Sequence, residues 1–283
     1  MMTAAKKATT TAKTVRTSKT TGPDKPARYT TRINHVGALL PDTKAMLAHW
    51  DLDADVPANL ERMRAENVFA KASRSRIPEM LETFHDRYLT DPEMLRALVA
   101  LAQDDAPDTL MDPILYLLAT RADPLLRDVV LDLLASMLAR GQTLMRPEDV
   151  ARWLGEQVAA GRAQRPWSDV TIRRLARGLL STLRDFGILQ GKATKKLEPV
   201  YMAVSAFAFL ALVLSRKQPS GAKLLHDPSW RLYFLSQPSV EYLFFEAHQE
   251  RLLTYQAAGQ VVRVEFPTQS LEEYAHVVAR RAL

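Results

Sequence analysis

Four Asp-Pro pairs constrain the fold of this chain more than any other feature of its sequence. An aspartate caps the free amides at a helix N-terminus, and proline is favoured at the first helical position, where its missing N–H is not needed. Behind the first pair, apolar residues recur at helical spacing: Met94, Leu95, Leu98 and Leu101. The pattern therefore predicts a mainly α-helical chain with helix starts at Asp91-Pro92, Asp112-Pro113, Asp123-Pro124 and Asp227-Pro228.

The run from Val200 to Leu214 is strongly apolar over fifteen residues. A helix needs about 20 such residues to cross a bilayer, and shorter runs usually form buried helices of globular proteins. We therefore expect this run to form the central helix of the fold and expect no membrane contact.

Strand signals are few. Only Gln260 to Phe266 alternates clearly, although Ile188–Leu189 and Leu197–Val200 fit a short pair. The sequence predicts an all-α (mainly α) fold of many helices in two abutting subdomains, residues 29–145 and 146–283, with one short strand near the C-terminus. The boundary is placed between Gly141 and Pro147.

The 283-residue chain contains no cysteine. That excludes disulfide frameworks, thiolate zinc sites, iron–sulfur ligation and a cysteine nucleophile. Hydrophobic residues make up 47% and charged ones 25%, which is typical of a folded, soluble protein. A reducing compartment fits, and no apolar signal segment precedes Arg28, so we expect a cytoplasmic location.

The charge of the chain is unevenly distributed. Residues 1–28 hold seven lysines and arginines against Asp24 alone, which equals the net charge of the whole chain, +6. This stretch has no apolar periodicity, so we predict a disordered basic tail that touches phosphates without specificity. Residues 91–135 carry −6 and residues 161–197 carry +7. We expect the former to repel DNA and the latter to be the basic centre of the fold.

That basic centre predicts two helices and a loop. Pro147 to Ala160 forms the first helix, and Trp167 to Gly187, capped by Ser168, forms the second, which gives a helix-turn-helix. The polar side of the second helix carries Thr171, Arg173, Arg174, Arg177, Ser181 and Arg184. The loop that follows carries Lys192, Lys195 and Lys196 and fits a small β wing. The order helix, turn, helix and wing suggests a winged-helix DNA-binding element. The alternative is that the arginines simply form a solvated helix face.

A second candidate helix-turn-helix lies in the first subdomain, between the helix at Ala58–Glu66 and a helix that begins near Ile77. Five of the residues at the start of the later helix would favour a phosphate there: Lys71, Ser73, Arg74, Ser75 and Arg76. The alternative is ordinary helix capping by Ser73 or Ser75.

Catalytic signatures are absent or incomplete. The six histidines show no zinc-binding spacing, and Asp185-Phe186-Gly187 lacks the other kinase motifs. Gly187 to Lys192 is one residue short of a phosphate-binding loop, with Ala193 where a Ser or Thr would bind magnesium. We therefore expect no enzyme activity, no catalytic residue, no metal and no cofactor; the alternative, an enzyme, would require a pocket of convergent polar groups that the sequence does not indicate.

The order of motifs resembles the BrxA family, a helical core component of bacteriophage exclusion (BREX) defence systems. The resemblance spans most of Tyr29 to Ala275. It is carried by Gly37-Ala38-Leu39-Leu40, Asn59-Leu60 with Asn67, Ser73 to Arg76, Arg121 to Asp128, Trp167-Ser168, Leu179 to Gly191 and Tyr255 to Gly259. The basic tail lies outside it.

The resemblance implies an all-helical, non-enzymatic protein with two helix-turn-helix elements that binds double-stranded DNA in phage defence. It also implies partners within the system: an ATPase, an adenine-specific DNA methyltransferase, a phosphatase-like protein and a Lon-like ATPase. Our hypothesis is a monomeric DNA-binding accessory protein that contacts backbone phosphates. The alternative is a protein-interaction scaffold whose acidic segment, Asp91 to Asp132, docks a basic partner, with nucleic-acid affinity only in the tail.

Overall fold

The computed structural model describes residues 29–282 except 67, 69–75, 193, 198–200, 219 and 260. The predicted tail, 1–28, lies outside the described residues, as do Lys71, Ser73, Arg74 and Ser75. Helices dominate the described part, so the predicted mainly α fold is confirmed. The helices of the first half are α1 (Ile33–Val36), α2 (Leu40–Ala48), α3 (Val56–Ala65), α4 (Ile77–Tyr88), α5 (Pro92–Gln103), α6 (Asp108–Ala122), α7 (Pro124–Asp128) and α8 (Ala135–Ala139), with a π-helical segment, Val129–Leu134, joining the last two.

The second half continues with α9 (Pro147–Ala159), α10 (Asp169–Asp185), α11 (Val204–Ser215), α12 (Gly221–Leu225), a 3-10 helix at Pro228–Tyr233, α13 (Gln237–Gln249) and α14 (Leu271–Ala282). Three of the four predicted helix starts are confirmed. Asp91 and Asp123 each accept hydrogen bonds from two backbone amides of the helix they precede, and Asp227 accepts one from Ser229 at the start of the 3-10 helix.

The predicted helix start at Asp112-Pro113 is wrong. Helix α6 begins at Asp108, and Pro113 lies inside it. Asp112 does not cap a helix, because its carboxylate lies 2.5 Å from the Lys44 ammonium on α2. A local Asp-Pro signal is overridden here by a tertiary ion pair.

Helix α11 lies at the centre of the fold, as predicted. Every residue from Ser205 to Leu214 is buried, and the helix packs against α6, α13 and α14. Among the helices of the described residues, none combines the length and apolar character needed to cross a membrane.

Two small antiparallel sheets complete the described structure. The predicted pairing is confirmed at Leu189 and Leu197, which lie opposite each other in β2 (Leu189–Gln190) and β3 (Lys195–Leu197), although β3 begins two residues before the predicted strand and residues 198–200 lie outside the described residues. Strand β1 (Leu144–Met145) joins them in the order β1-β3-β2. Near the C-terminus, β5 (Val261–Glu265) confirms the predicted strand, and it pairs with β4 (Thr254–Ala258), which the sequence did not predict.

Contacts cross the boundary predicted between the subdomains. Helix α1 packs on α10, α5 packs on α14, and α6 packs on α11. The division into residues 29–145 and 146–283 stays a prediction.

Candidate nucleic-acid interface

Strand β1, helices α9 and α10, and the β2–β3 hairpin form one contiguous unit. Helix α9 packs on α10, and β2 returns along α10 before β3 pairs with β1. Ser168 caps α10 as predicted, because its Oγ accepts a hydrogen bond from the Thr171 amide at 3.3 Å. The Ser168 and Thr171 hydroxyls also lie 3.0 Å apart, so both side chains are engaged in the cap. The start of α10 is therefore fixed by its own sequence.

The loop between α9 and α10 is held by the N-terminal end of the described chain. Tyr29 forms an isolated parallel β-bridge with Ala163. Its amide donates to the Arg162 carbonyl at 2.8 Å, and its carbonyl accepts from the Gln164 amide at 3.1 Å. The N-terminal end of the described chain therefore lies beside the loop that leads into α10.

A buried carboxylate reinforces this junction. Asp128, at the end of α7, accepts hydrogen bonds from the Tyr29 hydroxyl at 2.8 Å, Arg162 Nη2 at 2.6 Å and Arg127 Nε at 2.9 Å. The Arg162 guanidinium also lies 4.8 Å from the centre of the Tyr29 ring. Burial, and then the hydrogen bond to Asp128, raise the pKa of Tyr29 well above its usual value. The phenol therefore remains a proton donor to Asp128 at physiological pH.

Helix α10 divides into a buried and an exposed face. Leucines at 175, 179, 180 and 183 pack into the core. Arg173, Arg174, Arg177 and Arg184 are all exposed, and at about 100° per residue they fall within a sector of roughly 100°. The arginine face, defined as these four residues, is arranged as the sequence predicted.

Three members of the arginine face have no partner among the described residues. Arg173, Arg174 and Arg177 form no hydrogen bond or ion pair with any residue that the structure describes. Arg184 differs, because its guanidinium lies 2.6 Å from Asp185 Oδ1 and donates to Ser181 Oγ at 3.2 Å. Three unpaired guanidinium groups on one exposed helix face are well suited to bind phosphates.

The wing lysines occupy different environments. Lys192 and Lys196 are exposed, whereas Lys195 is only 6% exposed. The Lys195 ammonium donates to the Gly191 and Lys192 carbonyls at 2.7 and 2.6 Å, and desolvation lowers its pKa. Lys195 therefore holds the tip of the hairpin in shape rather than facing solvent beside the other two lysines.

A cleft of about 550 Å³ brings most of these residues together. Its walls include Asn34, Arg174, Arg177, Ser181, Arg184, Lys192 and Lys195. Asn34, on α1, was not identified from the sequence; it lies against Gly178, where an added Cβ would be 3.0 Å from its Oδ1. No local sequence signal pairs two residues so far apart.

The second candidate segment is only partly described. Arg76 is exposed immediately before α4, but it provides no side-chain cap. One turn further, Glu79 and Glu82 line a cleft that also includes Arg165 and Trp167 from the loop before α10. The beginning of α4 therefore lies near the beginning of α10, with acidic side chains between them.

Most acidic side chains of the acidic segment, residues 91–135, already have contacts within the fold. Eight of its nine acidic side chains cap a helix or contact a basic side chain: Asp91, Glu93, Asp104, Asp108, Asp112, Asp123, Asp128 and Asp132.

Among the described residues, no group of three or more His, Cys, Asp or Glu side chains is placed to hold a metal ion.

Comparison with known proteins gives one family. No curated protein matches the chain. A sequence model of the BrxA family matches residues 27–212, which is well over half of the chain and includes α10 and the hairpin. The family is a component of bacteriophage exclusion systems, so this is a phage-defence protein. The chain belongs to the BrxA family.

Proposed function

We propose that this chain is a non-enzymatic, cytoplasmic accessory protein that binds double-stranded DNA for its BREX system. The observation that carries the proposal is the set of three unpaired guanidinium groups, Arg173, Arg174 and Arg177, on the exposed side of α10. Guanidinium groups bind phosphates with bidentate, charge-assisted hydrogen bonds, and these three have no carboxylate to displace among the described residues.

The order of elements supports the same proposal. In a winged helix-turn-helix, a recognition helix enters the major groove and a hairpin follows it. Here α9 and α10 would be the two helices of that motif, and β2 and β3 the wing. An α-helix fits the major groove of B-form DNA, so α10 inserted there would bring its arginine face between two phosphate backbones. Lys192 and Lys196 extend that positive surface.

The scaffold alternative loses its main support. It required an acidic segment that is available to a basic partner. Eight of the nine acidic side chains of that segment already have partners within the fold. A basic partner would compete with those contacts, whereas DNA would meet arginines that are unpaired within the described structure.

The test is fluorescence anisotropy on short duplexes across a salt series, with the Arg173→Ala/Arg174→Ala/Arg177→Ala variant. The expected result is a log-log salt slope lower by roughly 0.9 for each lost phosphate contact, with equal weakening on unrelated DNA sequences. The matched control removes three exposed arginines from the C-terminal region, Arg263, Arg280 and Arg281, and should retain nearly the full slope.

A second arm of the experiment separates the fold from the tail. A full-length chain in which the seven lysines and arginines of residues 1–28 are replaced by glutamine should still bind with a slope of about −3 or steeper. Loss of all binding in that variant, or unchanged affinity of a folded arginine triple variant, would refute the proposal in favour of the scaffold.

The remaining parts of the proposal concern assembly. We propose that the chain acts as a monomer and meets the ATPase, DNA methyltransferase, phosphatase-like protein and Lon-like ATPase of its system on DNA. Arg76 and the segment before it, including Lys71, Ser73, Arg74 and Ser75, remain a proposed second phosphate contact. Analytical ultracentrifugation with and without duplex tests the stoichiometry, and a 1:1 complex is expected.

A further inference from the structure

Helix α10 exposes one apolar side chain on its basic side. Val170, in the first turn, is 62% exposed. It precedes Arg173, Arg174 and Arg177 by three, four and seven residues, which places it on the same face of the helix. Val170 therefore adjoins the arginine face at its N-terminal end.

Neither packing nor helix stability accounts for this valine. The other large apolar side chains of α10 are buried or half-buried, whereas Val170 points away from the core. A β-branched residue loses rotamer freedom in a helix, so an exposed helical position gains nothing from valine. The valine is therefore available for contact with an apolar group outside the chain.

The two neighbouring hydroxyl groups are already occupied, whereas the carboxylate of Asp169 is exposed beside them. The Ser168 and Thr171 hydroxyls contact each other at 3.0 Å, and Ser168 caps the helix. The first turn of α10 therefore presents the two methyl groups of Val170 next to the exposed carboxylate of Asp169.

We propose that Val170 contacts the C5-methyl group of thymine in the major groove, so that α10 favours DNA that carries those methyl groups. This inference rests on the proposed function. The N-terminal residues of a recognition helix meet base edges, and the thymine methyl group is the apolar feature that the major groove displays. The arginines one and two turns later would hold the phosphates on either side.

The test compares thymine with deoxyuridine, which differs only in the missing C5-methyl group. Anisotropy is measured at one salt concentration with the full chain on two alternating duplexes, one of adenine and thymine and one of adenine and deoxyuridine. Burial of about one methylene-sized group is worth roughly fourfold in Kd, so the thymine duplex should bind about fourfold more tightly.

Val170→Ser removes both methyl groups and keeps a residue of similar helix propensity. It should bind the two duplexes equally. The matched control is Val261→Ser, which alters a valine that is 72% exposed on β5, and it should retain the preference.

Two outcomes would overturn the inference alone: a wild-type chain that binds both duplexes equally, or a Val170→Ser variant that still prefers thymine. If the wild-type chain binds neither duplex, the proposed function fails as well, and the two failures are therefore distinguishable.

Discussion

The buried contact between Asp128 and Tyr29 supports a quantitative prediction about stability. The Asp128 side chain is 8% exposed and accepts hydrogen bonds from Tyr29, Arg162 and Arg127. Removing one partner of a buried ion pair costs about 3–5 kcal/mol. Because Arg162 and Arg127 are 32% and 42% exposed, water compensates part of their loss, and we expect the lower end, about 3 kcal/mol, for Asp128→Ala.

The partner substitution should cost less. Tyr29→Phe keeps the buried ring and removes only the hydroxyl hydrogen bond to a charged acceptor, which is worth about 1.5–3 kcal/mol. Once Asp128 is absent, the Tyr29 hydroxyl is a buried donor without an acceptor, so replacing it by Phe should cost nearly nothing. The double variant should therefore be more stable than the sum of the single effects by at least about 1 kcal/mol.

Urea denaturation of the four proteins, followed by circular dichroism, measures this coupling. Glu265→Ala serves as the control, because its ion pair with Arg263 is half-exposed and worth at most about 1 kcal/mol. If the Asp128→Ala and Tyr29→Phe effects were additive within about 0.3 kcal/mol, the two groups would not depend on each other, and the reasoning would fail.

Two further predictions concern packing and pH. Gly221→Ala should lower the free energy of unfolding by about 1–3 kcal/mol, because an added Cβ would lie 2.4 Å from the Val262 carbonyl oxygen. Gly155→Ala is the control: the space around Gly155 is open, so urea denaturation should show an unchanged or higher free energy of unfolding. Desolvation raises the pKa of Asp112 in the folded chain, although Lys44 opposes the shift. The unfolded chain therefore loses this proton more readily, and ionisation of Asp112 lowers the free energy of unfolding. Asp112→Asn removes this effect, so the variant should gain stability relative to wild type as the pH rises above about 4. A stability difference that is constant from pH 3 to pH 7 would contradict the second prediction.

Local signals in the sequence predicted the helices well. Asp91, Asp123 and Asp227 cap the elements that follow them, because a cap involves only residues two or three positions away. The failure at Asp112 has the opposite cause, since its carboxylate contacts Lys44, which lies on another helix. Propensity and capping are decided locally, and a tertiary contact can override them.

The strands were predicted less completely for the same reason. β1 is two residues long and pairs Leu144 with Lys196, so neither length nor alternation marks it in the sequence. Within the wing, three consecutive residues alternate between buried and exposed, and this pleat turns Lys195 inward while Lys196 faces solvent. The sequence placed three lysines on the wing but could not assign their directions.

The arginine face was predicted because it depends on helical period alone, but its ability to bind a polyanion depends on pairing that the sequence does not reveal. The charges of residues 29–283 sum to zero, and that sum alone predicts no attraction to DNA. Several acidic side chains of this part of the chain form internal ion pairs, in which a cation within about 4 Å cancels most of the carboxylate's field at a distance. Arg173, Arg174 and Arg177 have no carboxylate within that distance among the described residues, so their field extends over about one screening length, roughly 8 Å at physiological salt. We therefore expect unpaired exposed charge, rather than net charge, to determine where this fold would bind phosphates.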